Sequence, residues 1–228
     1  MRKKFLILLL ILLTFNAFAG SIYVFYPTVK KPKILKQELA AKLSNYDILV
    51  FGKYIDFINQ INKRNPDIII TKLPILKDIQ NYEIEYIGLK DQSKYENYSL
   101  ISLKPIDSLD FSEISIGVVN SLGRKQTKNI LENKFKGSLN IKYVNKVEDL
   151  YPLLTFDLAD VVILTNKNLN YYKKLSNRKL YFKEVENFAI ENVGIAIKNK
   201  TEDKKIKEIH TYLPKDFLSS IGVENWKE

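Results

Sequence analysis

The fold is decided by two stretches, DFINQINKRNPDIIIT (residues 56–71) and DLYPLLTFDLADVVILT (residues 149–165). In each, an aspartate begins an amphipathic helix, and a second aspartate 11 positions later opens an apolar, strand-like run that ends at a threonine. Helices alternating with continuous apolar strands are typical of parallel sheets covered on both faces. The matched spacing favours two related α/β lobes, although any helix–strand unit would share part of the pattern.

The flanking segments extend both units. Strands are predicted over 21–29 and 47–52 in the first half and over 114–120 and 139–144 in the second, with helices over 34–43, 125–135 and 147–154. Tyrosine-rich strands at 82–90 and 98–104 suit a connection between lobes, and a late strand pair at 179–185 and 193–199 suits a return crossover with a hinge. A polar helix over 202–213 and a short tail are expected to finish the chain. The predicted organisation is a signal peptide (1–19), lobe 1 (20–104), lobe 2 (105–180), and return strands with C-terminal helices (181–228).

The N-terminus has the three parts of a secretory signal peptide. A basic start, Met1 to Lys4, precedes the apolar run Phe5 to Leu13 and the small-residue site Ala17-Phe18-Ala19. That run is shorter than the roughly 20 residues that a membrane-spanning helix needs. We therefore expect cleavage after Ala19 and export to the periplasm, with an uncleaved N-terminal anchor as the alternative.

Composition limits the classes of partner and site. The 228 residues include no cysteine, which excludes disulfides and thiolate metal sites, and 46% of them are hydrophobic, which supports a folded core. Removing the three basic residues of the signal leaves 33 basic and 26 acidic residues, a net charge of +7. These charges are mixed along the chain, so no nucleic-acid-binding arm is predicted. The positive balance favours an anionic small ligand or membrane surface.

The inventory of reactive groups argues against an enzyme. His210 is the only histidine, and it lies in the predicted polar helix near the C-terminus. One histidine without cysteine cannot build a histidine-rich zinc site, and no Gly-x-Ser-x-Gly, Gly-x-Gly-x-x-Gly or Gly-x-x-x-x-Gly-Lys motif occurs. We expect no catalytic residue, metal or cofactor.

Four segments carry a resemblance to a known family. They are the strand and loop at 23–28, the unit at 56–71, the second-lobe opening ISIGVVNSLGRKQTKNIL (114–131) and EDLYPLLTFDLADVVIL (148–164). Together they resemble the periplasmic solute-binding proteins of ABC transporters, in the two-lobed class that includes the phosphate, phosphite and phosphonate binders. The resemblance implies a type 2 periplasmic-binding-protein-like fold, with two α/β lobes joined by a hinge. The second-lobe entrance lacks the run of serines and threonines usual in phosphonate binders.

The resemblance implies a solute held between the lobes, by polar groups that follow the strands and by helix N-termini. In the first lobe the candidates are Tyr26, Thr28, Tyr54, Thr71 and Lys72, and in the second they are Asn120, Ser121, Arg124, Thr127, Thr165 and Asn166. Ser121 to Arg124 is the most informative group, since a serine and a glycine at a helix start free backbone donors, and an arginine can bind a carboxylate or phosphoryl group bidentately.

The expected function is binding of a small polar, anionic solute without chemical change, by a monomer that delivers it to an ABC-type permease. A periplasmic sensor partner, or an interaction module that has lost ligand binding, is the alternative on the same scaffold. The shortness of the exported chain keeps that alternative open.

Overall fold

A computed structural model describes residues 20–109, 113–199 and 204–228, so the predicted signal peptide lies outside the described residues. Eleven strands are described: β1 Gly20–Phe25, β2 Tyr46–Phe51, β3 Ile68–Lys72, β4 Tyr82–Leu89, β5 Tyr95–Ser102, β6 Ser115–Val119, β7 Asn140–Val144, β8 Val161–Thr165, β9 Tyr181–Glu191, β10 Val193–Lys198 and β11 Asn225–Lys227. The described helices are α1 Pro32–Ala40, α2 Tyr54–Arg64, α3 Leu73–Asp78, α4 Arg124–Phe135, α5 Leu150–Thr155, α6 Leu169–Leu175, α7 Lys204–Lys207 and α8 Lys215–Ile221.

The strands form two mixed sheets, one in each lobe. The first has the order β11-β4-β10-β3-β1-β2, and the second has the order β7-β6-β8-β5-β9. In each, three parallel strands (β2, β1 and β3, or β7, β6 and β8) are followed by an antiparallel neighbour, β10 or β5. Two matched α/β halves are therefore present, which confirms the predicted fold class.

The chain crosses between the sheets twice. The first crossover connects β4 to β5 through residues 90–94, and the second connects β9 to β10 at Asn192. The sequence predicts a lobe boundary after residue 104, but β5 pairs with β8 and β9 and so belongs to the second sheet. The predicted boundary lies too late in the chain because the polar residues Asp91 to Asn97 look like a loop. In the structure β5 already begins within this stretch, at Tyr95, and its first three residues are not buried.

The central strand of each half is buried from end to end. All five residues of β3 and all five of β8 are buried, as expected of strands covered by helices on both faces. Helix α2 ends at Arg64, and Asn65 caps it with a left-handed backbone (φ 46°) just before Pro66. The predicted units at 56–71 and 149–165 thus fold as helix followed by buried strand.

Each half contains a serine–aspartate pair at the equivalent position, hydrogen-bonded in the same way. Asp67 Oδ2 accepts hydrogen bonds from the Ser21 N–H and hydroxyl, both at 2.8 Å, and Asp160 Oδ2 accepts the corresponding bonds from Ser115 at 2.8 and 2.9 Å. The aspartate N–H donates back to the serine Oγ in both halves, at 3.0 and 3.2 Å. These pairs fix the first parallel strand against the third.

Several short elements differ from the predictions. Helices α3, α6 and α8 and strand β11 were not predicted, and the predicted polar helix at 202–213 is described only as α7 followed by a 3-10 turn, Ile209–Tyr212. Helix α3 starts directly after β3 with Pro74 in its first turn, so no polar break separates strand from helix. Among the described helices, none is long and apolar enough for a membrane crossing.

Candidate functional site

A buried ion cluster lies where the two lobes meet. Glu96, near the start of β5, contacts Lys72 of the first lobe through Oε2 (2.7 Å) and Lys167 of the second lobe through Oε1 (3.0 Å). The three side chains are 10%, 4% and 14% exposed, respectively, so water solvates them little. One carboxylate therefore bridges two ammonium groups that come from opposite lobes.

The fold delivers both lysines from equivalent places. Lys72 is the last residue of β3, and Lys167 lies in the 3-10 turn that follows β8. In each lobe a threonine precedes the lysine at the carboxyl end of the third parallel strand, Thr71 in one and Thr165 in the other. The carboxyl ends of parallel strands are where open α/β sheets bind ligands.

Tyrosine and asparagine side chains complete the cluster. The Tyr26 hydroxyl accepts a hydrogen bond from Lys167 Nζ (2.6 Å) and lies 3.2 Å from Glu96 Oε1 and 3.0 Å from Asn192 Oδ1. Lys72 Nζ also lies 3.3 Å from the Tyr98 hydroxyl and 5.1 Å from the centre of the Tyr26 ring. These polar groups replace the water that burial removes.

Ionisation in the cluster follows from burial and charge pairing. Burial disfavours the carboxylate of Glu96, but the two lysines outweigh it and lower its pKa to about 2. Burial also disfavours the charged form of Lys72, yet Glu96 and the two tyrosines raise the pKa of its ammonium well above the usual value. Burial lowers the pKa of Lys167 to about 8, with repulsion from Lys72 acting in the same direction. At neutral pH the three groups therefore carry a net charge of +1.

A small cavity extends from this cluster into the second lobe. Its volume is about 50 Å³, and its charged end is formed by Lys72 and Glu96. The rest of the wall is mostly apolar and includes Val118, Val119, Leu122, Ile163, Phe188 and Ile190. Thr127, on the first turns of α4, also lines it; this residue is 5% exposed, and its Oγ1 has no hydrogen-bond partner.

Glu96 lines a second, polar cavity of about 260 Å³ at the crossovers as well, together with Lys167 and Asn192, which do not line the first. Asp91 and Tyr95, which line it too, are exposed. Water therefore screens charges in this second cavity more than in the first.

The segment 121–124 of the second lobe contacts the first lobe. Leu122 is buried in the apolar cluster of the first lobe that contains Phe25 and Phe57. Gly123 has φ 84°, and a Cβ on it would come within 2.8 Å of the Tyr54 ring. The second-lobe loop therefore contacts the start of α2 directly, and the cleft is closed.

The first of these two cavities, the inner cavity of about 50 Å³, is lined by some of the predicted site residues and not by others. Tyr26, Lys72, Ser121, Thr127 and Thr165 line the cavity, whereas Thr28, Tyr54, Thr71, Asn120, Arg124 and Asn166 do not. Arg124 is exposed, and its guanidinium lies over the Tyr143 ring, 5.4 Å from its centre. The Thr71 hydroxyl donates to the Phe25 carbonyl, and Asn166 accepts a hydrogen bond from the Ser99 hydroxyl while lining the polar cavity. Asn120 Oδ1 is buried without a partner, and Tyr54 contacts Gly123.

Sequence reasoning missed Glu96 and Lys167. Both lie in polar stretches, KDQSKYENYS (90–99) and TNKNLN (165–170), where a charged side chain is usually solvated. The matched threonines at 71 and 165 could have pointed to Lys167, since each is followed within two residues by a lysine. Nothing in the local pattern identifies Glu96, because its partners are 24 and 71 positions away.

Comparison with known proteins shows the fold. No protein-family model matches the chain, and no curated protein matches it. The chain is similar to the GluR0 ligand-binding core in complex with L-glutamate, at 14% identity and a TM-score of 0.59, covering 89% of this chain and 96% of that one. It is also similar to the VFT2 domain of Bordetella pertussis BvgS (12% identity, TM-score 0.58, 88% and 91% covered) and to the substrate-binding protein of an amino acid ABC transporter (12%, 0.54, 89% and 95%). The fold is therefore that of the two-lobed, type 2 periplasmic-binding-protein-like domains.

Proposed function

We propose that this protein binds a small anionic solute between its lobes, outside the cytoplasm, and delivers it to an ABC-type permease. The observation that carries the proposal is the Lys72–Glu96–Lys167 cluster, in which cations from both lobes meet at the cleft with a net charge of +1. A buried excess of positive charge is stabilised by an anion. A ligand that contacts both lobes favours their closed arrangement.

The similar structures support a ligand-binding role, since the GluR0 core is in complex with L-glutamate and the substrate-binding protein belongs to an amino acid ABC transporter. Export in this proposal depends on the signal-like residues 1–19. The resemblance to phosphate and phosphonate binders keeps those anions among the candidates. Arg124 is the predicted residue best suited to bind a phosphoryl group, but it is exposed and lies over the Tyr143 ring. This position of Arg124 favours anions other than phosphate and phosphonates.

The second candidate is a sensor partner or an interaction module on the same fold. The inner cavity of about 50 Å³ favours it, because a closed cleft with so little space needs no solute to hold its lobes together. In this case Glu96 serves as the anion that bridges the lobes.

A thermal-shift screen separates the two candidates. The purified protein is tested with phosphate, phosphonates, sulfate, short carboxylates and amino acids. An anion at about 100 times its dissociation constant raises the free energy of unfolding by about 2.7 kcal/mol. The shift is expected to disappear in Lys72→Gln and to persist in Lys77→Gln, since Lys77 is 55% exposed and does not line the inner cavity. A shift that survives Lys72→Gln contradicts binding at the cluster, and no shift with any anion favours the module.

A further inference from the structure

One end of the second lobe exposes apolar side chains. Phe156 and Leu158, in the turn between α5 and β8, are 73% and 54% exposed, and Leu175, the last residue of α6, is 44% exposed. Between the first two, Asp157 has a left-handed backbone with φ 52°. The turn is fixed to the end of α5, since the Leu158 N–H donates to the Leu153 carbonyl at 2.8 Å. A hydrogen-bonded turn thus holds two apolar side chains in contact with solvent.

The loop that precedes β9 lies at the same end of the second sheet. The Ser102 hydroxyl donates to the Asp160 carbonyl at 2.9 Å, and Ser102 is paired with Tyr181, the first residue of β9. The start of β8 and the start of β9 are therefore at one level of the sheet. The turn 156–158 leads into the first of these strands, and the segment 173–179 leads into the second.

The helices that carry these two stretches are also in contact. The Tyr151 hydroxyl of α5 donates to Ser176 Oγ, after α6, at 2.9 Å, and the Tyr151 ring meets the Tyr172 ring of α6 edge to face, with centres 6.2 Å apart. The turn 156–158 and the segment 173–179 therefore lie on one surface, which we call the lobe-2 end face.

The lobe-2 end face is rich in cations. The segment 173–179 (KKLSNRK) has no acidic residue and four exposed basic ones, which are Lys173, Lys174, Arg178 and Lys179. Among the described residues, no carboxylate forms an ion pair with any of these four. Two of them lie over aromatic rings, which leaves their charge without a counter-ion. Asp157 is the one acidic residue of the face, so the face attracts an anionic partner.

Exposed apolar side chains beside such cations fit an anionic lipid surface. Aromatic and aliphatic side chains insert at the boundary between headgroups and acyl chains, and anionic headgroups attract each lysine or arginine close to them. A protein partner fits less well, because lysine is depleted in protein–protein interfaces relative to the rest of the surface.

We propose that the lobe-2 end face docks on the anionic surface of a membrane, with Phe156 and Leu158 inserted and the segment 173–179 against the lipid headgroups. The face lies at the amino end of β8, whereas Lys167 of the buried cluster follows its carboxyl end. The five residues of β8 separate the two by roughly 15 Å, so docking leaves the cleft uncovered. This interaction is independent of solute binding between the lobes.

Co-sedimentation with lipid vesicles tests the docking. Residues 20–228 are used, because they contain both sheets and because the apolar run 5–13 would itself bind lipid. Vesicles of phosphatidylcholine mixed with an equal part of phosphatidylglycerol supply the anionic surface, and phosphatidylcholine alone supplies the neutral one. We expect binding to the anionic vesicles to be at least tenfold stronger, and to weaken in high salt. Equal binding to both kinds of vesicle, or binding to neither, would overturn the proposal.

A pair of double variants tests the cations. Lys173→Gln/Lys174→Gln should weaken binding to the anionic vesicles by at least tenfold. Lys33→Gln/Lys36→Gln removes the same charge from exposed positions on α1 of the first lobe and should leave most of the binding intact. Equal weakening in the two double variants would mean that net charge, rather than this face, attracts the vesicles.

Phe156→Ser tests insertion of the apolar turn. The side chain is 73% exposed, so the fold is expected to keep its stability, while binding to the anionic vesicles should fall by about tenfold. Ile55→Ser, at a residue of α2 that is 56% exposed, is the control and should bind as wild type does. Unchanged binding of Phe156→Ser would overturn the insertion. Sedimentation velocity of the protein alone tests the other occupant, since a dimer that is lost in Phe156→Ser would assign the face to a second copy of the chain and contradict lipid docking.

Discussion

In each lobe a serine at the start of the first parallel strand holds the aspartate that precedes the third strand, Ser21 with Asp67 and Ser115 with Asp160. Each third strand has a threonine at or next to its last residue, Thr71 or Thr165, and a lysine follows within two residues. The lobes differ in where that lysine lies, because Lys72 is still within β3 and Lys167 lies one turn beyond β8.

This difference has an electrostatic consequence. Both lysines contact Glu96, yet the pKa of Lys72 is raised and that of Lys167 is lowered to about 8. Burial is the main cause of the lowered pKa of Lys167, and repulsion from Lys72 adds to it, whereas Lys72 has the closer contact with the carboxylate, at 2.7 Å against 3.0 Å. Two similar frameworks therefore bring like charges to the contact between the lobes, and a residue between those charges, Glu96, supplies the counter-ion.

Removing that counter-ion should have the largest effect. Glu96→Gln keeps the shape of the side chain and leaves two buried lysines without an anion, so the free energy of unfolding should fall by about 3–5 kcal/mol in urea denaturation. Glu191→Gln is the matched control, because Glu191 pairs with the more exposed Lys77 and Lys94, and a loss below about 1 kcal/mol is expected. An equal fall in the free energy of unfolding in both variants would show that the cluster does not stabilise the contact between the lobes.

Acid should weaken the same cluster in wild type. The pKa of Glu96 is lowered to about 2 in the folded protein, so its stabilising contribution is complete above its unfolded pKa near 4.5 and is lost as pH falls towards 2. The loss should amount to about 3 kcal/mol, measured by urea unfolding at several pH values. Glu96→Gln should lack this component; a variant with the same acid dependence as wild type would assign it to other carboxylates.

A smaller effect is expected at the contact between lobes. Gly123→Val places a β-branched residue at φ 84° and a Cβ against Tyr54, which should cost about 2 kcal/mol and separate the lobes. Small-angle X-ray scattering should then give a larger radius of gyration. Gly137→Ala is the control, since no atom lies within 4 Å of its added Cβ. An unchanged radius in the valine variant would mean that this loop does not hold the cleft closed.

The smallest effects should come from the paired serines. Ser21→Ala and Ser115→Ala each remove side-chain hydrogen bonds to an aspartate, and each should lower the free energy of unfolding by about 1 kcal/mol. Because the pairs lie in different sheets, the double variant should lose the sum of the two, as measured by thermal or urea unfolding. If one serine variant lowers the free energy of unfolding several times more than the other, the two serine–aspartate pairs are not equivalent in strength.

The parts of the molecule that the sequence predicts are those set by local patterns. The buried run Ile68 to Ile70 and the matched aspartates at 67 and 160 indicate two α/β halves, because side-chain periodicity and strand burial are local properties. Five of the eleven predicted site residues line the inner cavity, since strand ends and helix starts converge there in such sheets.

The parts of the site that the sequence does not predict depend on contacts between residues that are far apart in the chain. Glu96 is identified only by the approach of two lysines, one from each lobe, and Arg124 is drawn over Tyr143 on the surface rather than towards the cavity. Helix propensity and charge pattern carry no information about either arrangement.

Solute binding between the lobes can be tested most directly by measuring the distance between them. The chain has no cysteine, so Asn59→Cys on α2 and Asn129→Cys on α4, both at exposed positions, allow two spin labels, one in each lobe. Pulsed electron paramagnetic resonance is recorded in the wild-type and Glu96→Gln backgrounds, with and without the anion that gives the largest thermal shift in the screen. We predict a single short distance in wild type and a longer, broader distribution in Glu96→Gln that returns to the short distance when this anion is added. A distribution in Glu96→Gln that does not respond to the anion, although the anion binds, would contradict binding between the lobes.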